Sequence, residues 1–172
     1  KTVHYPYVSS SDLSFLEERE FDCTAPLILG SAENCNYNIF DNNNVEINSV
    51  ANGEIYMSAS FMNKYDFSIG DTITINKENY TRKFTITNTC KDIVFSAGLI
   101  GVNKFLISED DYQDILNSGA FPELIEYGIY SDNVESLFQE LNASEASTAL
   151  TFDHSQLKNM YIIDMVTAGV ML

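Results

Sequence analysis

Two kinds of spacing alternate along this chain and set out its elements. Apolar residues at every second position mark half-buried strands. Asp71 to Asn76, DTITIN, alternates strictly. Tyr80 to Asn88 alternates again, with Phe84 and Ile86 on one face and Lys83, Thr85 and Thr87 on the other. With Lys77-Glu78-Asn79 as the turn, the two runs predict a hairpin. Pro26 to Gly30, PLILG, is a short apolar run and predicts a buried strand. Gly53 to Met57, Phe105 to Ile107 and Tyr127 to Tyr130 predict three more short strands. Helical spacing appears between them. Ser58 is a cap for Ala59 to Tyr65, which sets Phe61, Met62 and Tyr65 on one side and closes at Asp66 to Gly70. Ser108 caps a helix that runs to about Ser118, with Asp111 in a capping-box-like position and Gly119 as terminator. Asp132 or Asn133 caps a third, where Val134, Leu137, Phe138 and Leu141 fall at i, i+3, i+4 and i+7. Ser9 to Asp12, followed by Glu17 and Glu18, predicts a short helix over about Asp12 to Glu20. Asp41 to Asn44 is a turn, and Asn142 to Ala149 a polar loop. Short strands and helices around a central antiparallel pair give an α+β fold class, not a doubly wound sheet.

The last stretch breaks this rhythm. Leu157 to Leu172 reads LKNMYIIDMVTAGVML, with charge only at Lys158 and Asp164. It is shorter than the roughly 20 apolar residues that span a bilayer. Two readings stay open. One is the first turns of a membrane helix that continues past Leu172, reached through a helical stalk beginning near Phe152 and Asp153. The other is a C-terminal helix packed on a core. The first divides the chain into a domain over 1–156 and a stalk over 157–172.

Composition narrows the function classes. The chain has 172 residues, 45% of them hydrophobic, with ten Tyr and eleven Phe. That suits one domain, or one domain in two lobes, and argues against disorder. Nine basic residues against 25 acidic ones leave a net charge of −16. Such a chain repels phosphate backbones, so nucleic acid is excluded as a partner, and it opposes binding flat on an anionic membrane. The charge is uneven. Lys77 to Lys104 holds five basic residues and two acidic ones, whereas Phe105 to Leu157 holds eleven acidic residues and no Lys or Arg. The plain consequence is solubility; the functional one is a surface that steers a charged partner.

Candidate chemistry is sparse. His4 and His154 sit at opposite ends of the chain. A Ser-His-Asp or Cys-His site would need one of them. Cys23, Cys35 and Cys90 form no CxxC pair, so no zinc site is indicated, and a Cys23–Cys35 bridge is possible. Asp41 begins a stretch like a calcium loop, but Val45 and Glu46 stand where an EF-hand needs a polar ligand and Gly. No GxSxG, HExxH or P-loop pattern is present. Acidic neighbours such as Asp110-Asp111 and Glu17-Glu18 read as solvated helix faces, because adjacent helical residues do not face each other. The sequence therefore assigns no catalytic, cofactor-binding or metal-ligating residue, and the chain is expected not to be an enzyme and to need no cofactor.

One stretch carries a resemblance. Gly53 to Ile75 reads GEIYMSASFMNKYDFSIGDTITI. It resembles a segment of the extracytoplasmic domains of MacB/FtsX-type ABC transporter permeases, in which a Gly-led strand ending in Ser enters a short helix and then a Gly-Asp strand. The matching positions are Gly53, Ile55, Met57 and Ser58, then Ile69, Gly70, Asp71, Ile73 and Ile75. Phe105 to Ile115, FLISEDDYQDI, is similar to the family's strand, Ser cap and acidic-aromatic helix. Asp153 to Leu172 looks like its stalk entering the second membrane helix. The resemblance covers about Gly53 to the end, while Lys1 to Asn52 matches nothing firmly. It implies a MacB periplasmic-core-like fold in two lobes, with a β-rich lobe inserted at about 44–95. It also implies a place on the extracellular face of the cell membrane, between two membrane helices. Its partners would be a nucleotide-binding ATPase subunit or domain in the cytoplasm and a second permease copy or partner permease. A peptide, lipoprotein or cell-wall protein would be handled outside. The motif residues are folding signals, so no active site is carried over. Two other classes remain: a binding or adhesion module tethered to a cell surface, and a carboxylate-based hydrolase.

Overall fold

The computed structural model describes residues 2–9, 14–15, 27–77, 80–91, 103–129 and 132–143. In chain order the strands are β1 (Thr2–Ser9), β2 (Ser14–Phe15), β3 (Leu27–Ser31), β4 (Ile39–Phe40), β5 (Glu46–Ile47) and β6 (Glu54–Met57). Helix α1 (Ala59–Tyr65) follows, then β7 (Thr72–Lys77), β8 (Tyr80–Thr89), β9 (Asn103–Ile107), α2 (Glu109–Asn117), β10 (Glu123–Ile129) and α3 (Val134–Ala143). The fold is α+β. The chain divides into two compact units, one over Thr2–Gly128 and one beginning at Ile129.

The first unit is built on an eight-stranded mixed sheet in the order β10-β1-β3-β9-β6-β8-β7-β2. β3 runs parallel to β9, from Leu27 opposite Asn103 to Ser31 opposite Ile107. β9 runs antiparallel to β6, with Ile55 opposite Ile107. β6 is parallel to β8, with a register shift between Ile55 and Tyr56. β7 and β8 form the expected hairpin, from Thr72 opposite Thr85 to Lys77 opposite Tyr80. Lys77 is thus the last residue of a strand and not the first of the turn. β6, β8 and β7, from the stretch read as a β-rich lobe over about 44–95, are consecutive neighbours in this same sheet.

Period-two alternation explains why both faces of the sheet are covered. Leu29, Ile55, Met57, Phe84, Ile86, Phe105 and Ile107 point to one face, where Phe61 and Met62 of α1 and Tyr112 and Ile115 of α2 complete the main core. Ile28 and Leu106, one residue out of step, point to the other face. There they meet Tyr5, Ile39, Ile47, Val50 and Cys90, beneath the segment that carries β4 and β5. The central strands β3 and β9 are buried on both faces, which is why they read as apolar runs and not as alternation.

The helix ends follow their caps. Ser58 Oγ accepts the Phe61 N–H at 3.3 Å. Asp66 ends α1 in the left-handed region at φ 57°, its N–H bonded to Met62 O. Gly119 adopts φ 70° just past α2, where the sequence placed its terminator. In the second unit Asn133 is the cap of α3, its Oδ1 accepting the Ser136 N–H at 3.0 Å.

Three expectations are corrected. The helix over Asp12 to Glu20 is contradicted where the chain is described: Ser14 and Phe15 form β2 and pair with Asn76 and Ile75 of β7. The rest of that stretch lies outside the described residues. β10 starts at Glu123, four residues before the strand expected at Tyr127. Asn142 and Ala143 belong to α3 and not to the polar loop. The stretch 144–172, with the expected stalk, lies outside the described residues. Among the described residues no helix is long and apolar enough to cross a membrane.

Candidate functional site

The densest polar constellation is the N-terminus of α2. Ser108 stands in extended conformation just before the helix, so its Oγ can turn back and accept the Asp111 N–H at 3.0 Å. The same hydroxyl donates to Asp111 Oδ2 at 2.9 Å. Asp111 is 1% exposed. Its Oδ2 also accepts the Gly53 N–H at 2.6 Å, and its Oδ1 pairs with Arg82 Nη2 of β8. The solvated-face reading of Asp110-Asp111 is therefore wrong for Asp111 and holds for Asp110, which is exposed. A helix facing a sheet turns one of two adjacent carboxylates inward.

The flanking acids bind other segments. Asp110 Oδ2 accepts from Asn52 Nδ2 at 3.0 Å, and Glu109 Oε2 accepts from Asn34 Nδ2 at 2.5 Å. Three successive carboxylates thus hold the segment after β3, the turn before β6, and β8. Further along, the Tyr80 hydroxyl donates to Asp114 and the Tyr112 hydroxyl to Glu123, each at 3.1 Å. Burial first, then the neighbouring carboxylate, pushes both phenols far above the usual tyrosine range. They stay protonated, hence donors, throughout the physiological pH range.

On the opposite face of the sheet, Lys104 of β9 is 2% exposed. Its Nζ lies 3.7 Å from the Tyr5 ring centroid and donates to Tyr37 Oη at 3.4 Å. Counted by sequence among the basic residues of the middle segment, it belongs to the core beside the Tyr5 and Tyr7 rings. Its one mark in the chain is that of a lone lysine opening an apolar strand, KFLI.

The other candidate residues lie apart from this junction. The His4 backbone N–H donates to Asn36 Oδ1 at 2.7 Å. Cys35 is half-buried, its Sγ 3.3 Å from Ser31 O, and Cys90 is buried. His154, Cys23, Glu17 and Glu18 lie outside the described residues. Asp41 folds an Asx turn, its Oδ1 accepting the Asn43 and Val45 N–H groups at 2.8 Å each. Among the described residues no group of three or more His, Cys, Asp and Glu is gathered for a metal ion. The α2 junction offers neither a nucleophile–base pair nor an uncommitted acid: Ser108 caps a helix, and Asp111 accepts from Ser108, Gly53 and Arg82. Its chemistry is that of a fixed joint. Arg82, Asn34, Asn52 and Gly53 were not legible as partners, because each lies 29 or more residues away from its carboxylate. No profile of a known protein family matches the chain, and no curated protein matches it either.

Proposed function

We propose that residues 1–156 are the non-catalytic extracytoplasmic domain of a MacB/FtsX-type ABC transporter permease, on the extracellular face of the cell membrane. One observation carries the reading. The two stretches that carry the resemblance each supply a strand, a Ser cap and a helix, and they are joined to each other. Gly53–Ile75 supplies β6, the Ser58 cap, α1 and β7, and Phe105–Ile115 supplies β9, the Ser108 cap and α2. β9 pairs with β6, and Asp111 holds the Gly53 amide. In this reading ATP is hydrolysed in the cytoplasm by a nucleotide-binding subunit or domain, and the stalk over 157–172 carries the motion outward. The sheet and its α2 joint then act as a stiff body against a peptide, lipoprotein or cell-wall protein, alongside a second permease copy.

The test is the gene on both sides of this sequence and the protein it encodes. The reading expects about 20 apolar residues ending just before Lys1 and about ten more after Leu172. It also expects a nucleotide-binding ATPase to co-purify with the full-length protein from detergent-solubilised membranes. Hydrophilic sequence on both sides overturns it. A single span with no ATPase replaces it with the tethered binding module.

A further inference from the structure

Asn52-Gly53 is a dipeptide with intrinsic chemistry. In a flexible chain the glycine amide nitrogen attacks the asparagine side-chain carbonyl carbon. The new N–Cγ bond closes a five-membered imide, and the Cγ–Nδ2 bond breaks. Ammonia leaves, carrying the proton lost by the glycine nitrogen. Water then opens the imide at either carbonyl, giving aspartate or isoaspartate, with no change in oxidation state.

The fold blocks this reaction in three ways, one within the turn itself and two from the start of α2. Glu54 N–H bonds to Ala51 O at 3.0 Å, and Gly53 has φ +77°. Together these define a type II turn with Asn52 at its first central position. That turn holds the Gly53 nitrogen away from the eclipsed arrangement with Asn52 Cβ that ring closure needs. The Gly53 N–H is also tied to Asp111 Oδ2 at 2.6 Å. Finally, the leaving group, Asn52 Nδ2, is tied to Asp110 Oδ2 at 3.0 Å. The two carboxylate bonds end when the start of α2 parts from the turn, which frees the Gly53 nitrogen and the Asn52 amide and leaves the turn held only by its own Glu54–Ala51 bond and by β8.

We propose that Asn52-Gly53 is a conformationally gated modification site. It stays closed while α2 grips the turn, deamidates when the junction opens, and afterwards keeps it open. The last step is electrostatic. A carboxylate at position 52 faces Asp110 and lies beside the Asp111 contact, so an attraction becomes a like-charge repulsion. Opening of α2 is thereby converted into a permanent covalent mark.

The experiment incubates the whole chain at neutral pH and follows residue 52 by peptide mapping, scoring the one-dalton gain and isoaspartate. A peptide spanning 49–57 in the same buffer is the open reference. Conversion in the folded chain is expected to be about tenfold or more slower than in the peptide, because modification of an opened state tracks the opening equilibrium. Asp111→Ala is expected to move the rate toward that of the peptide. Equal rates for the folded chain and the peptide overturn the gate, as does an Asp111→Ala chain no faster than the wild type. Since Asp111→Ala also removes the partner of the Ser108 hydroxyl and of Arg82, Asn52→Asp tests the second half on an otherwise intact chain. Faster hydrogen exchange of the Gly53 amide with an unchanged circular dichroism spectrum is expected. An unchanged Gly53 amide overturns the claim that the product holds the junction open.

Discussion

Gly30 sits where the Tyr5 ring crosses β3, and a methyl group added there would run into the ring and its hydroxyl. Tyr5 is fully buried and carries the Lys104 ammonium on its face, so it has nowhere to go. Gly30→Ala is expected to cost about 1–3 kcal/mol by overpacking, read as a lower urea midpoint with an unchanged slope. Asp111 works in the opposite sense, by satisfying others. Asp111→Ala removes the return half of a helix cap, leaves the Gly53 N–H unpaired, and strips Arg82 of its anion. A loss of about 2–4 kcal/mol is expected by the same denaturation. Lys83, exposed on the polar face of β8, is the contrast: Lys83→Glu should fall within about 0.5 kcal/mol of the wild type. A large drop in its melting temperature would refute the face assignment. At this scale the sequence is informative where the cause is local. Ser58 and Ser108 reveal themselves as caps because cap and helix are neighbours in the chain. Asp111 looks like any surface acid because the guanidinium that buries it comes from β8.

Elements divide in the same way. Helix α1 matches its predicted bounds, since cap, apolar stripe and left-handed stop all lie within ten residues of one another. The β7–β8 hairpin matches because alternation is a property of each strand. At 12–20 the local signals favour a helix, yet Phe15 gains a partner in Ile75 of β7, and the sheet edge decides. The start of β10 was missed for a related reason. Glu123, Leu124 and Ile125 do not alternate, and the strand is set by its place beside β1. The β4–β5 pair depends on one ionisable group. The Val45 amide, above all, holds the Asp41 carboxyl below its ordinary 3.8, with the Asn43 amide and Lys91 adding to it against the cost of burial. A depressed folded value means stability that is present above 3.8 and lost as pH falls through the lowered one. Protection of the Asn43 and Val45 amides against hydrogen exchange should therefore hold at neutral pH and fall away only below 3.8. In Asp41→Asn that acid-dependent loss should vanish.

At the scale of the molecule, a net charge of −16 on 172 residues works against compaction. Salt shortens the reach of that repulsion to about 10 Å at 0.1 M. The melting temperature should rise with sodium chloride over that range, and a flat or falling curve would show that local ion pairs outweigh the global field. The order of strands has a further consequence, in time instead of energy. β9 lies between β3 and β6, so the sheet cannot become continuous until residues 103–107 take their place. A chain emerging from the ribosome makes β1, β3, β6, β7 and β8 first, as two separate groups with the bare edges of β3 and β6 between them. Those edges are the surfaces on which such an intermediate would pair with the wrong neighbour. The interval of greatest exposure is the one between emergence of β8 and emergence of β9, while both edges wait for the same strand.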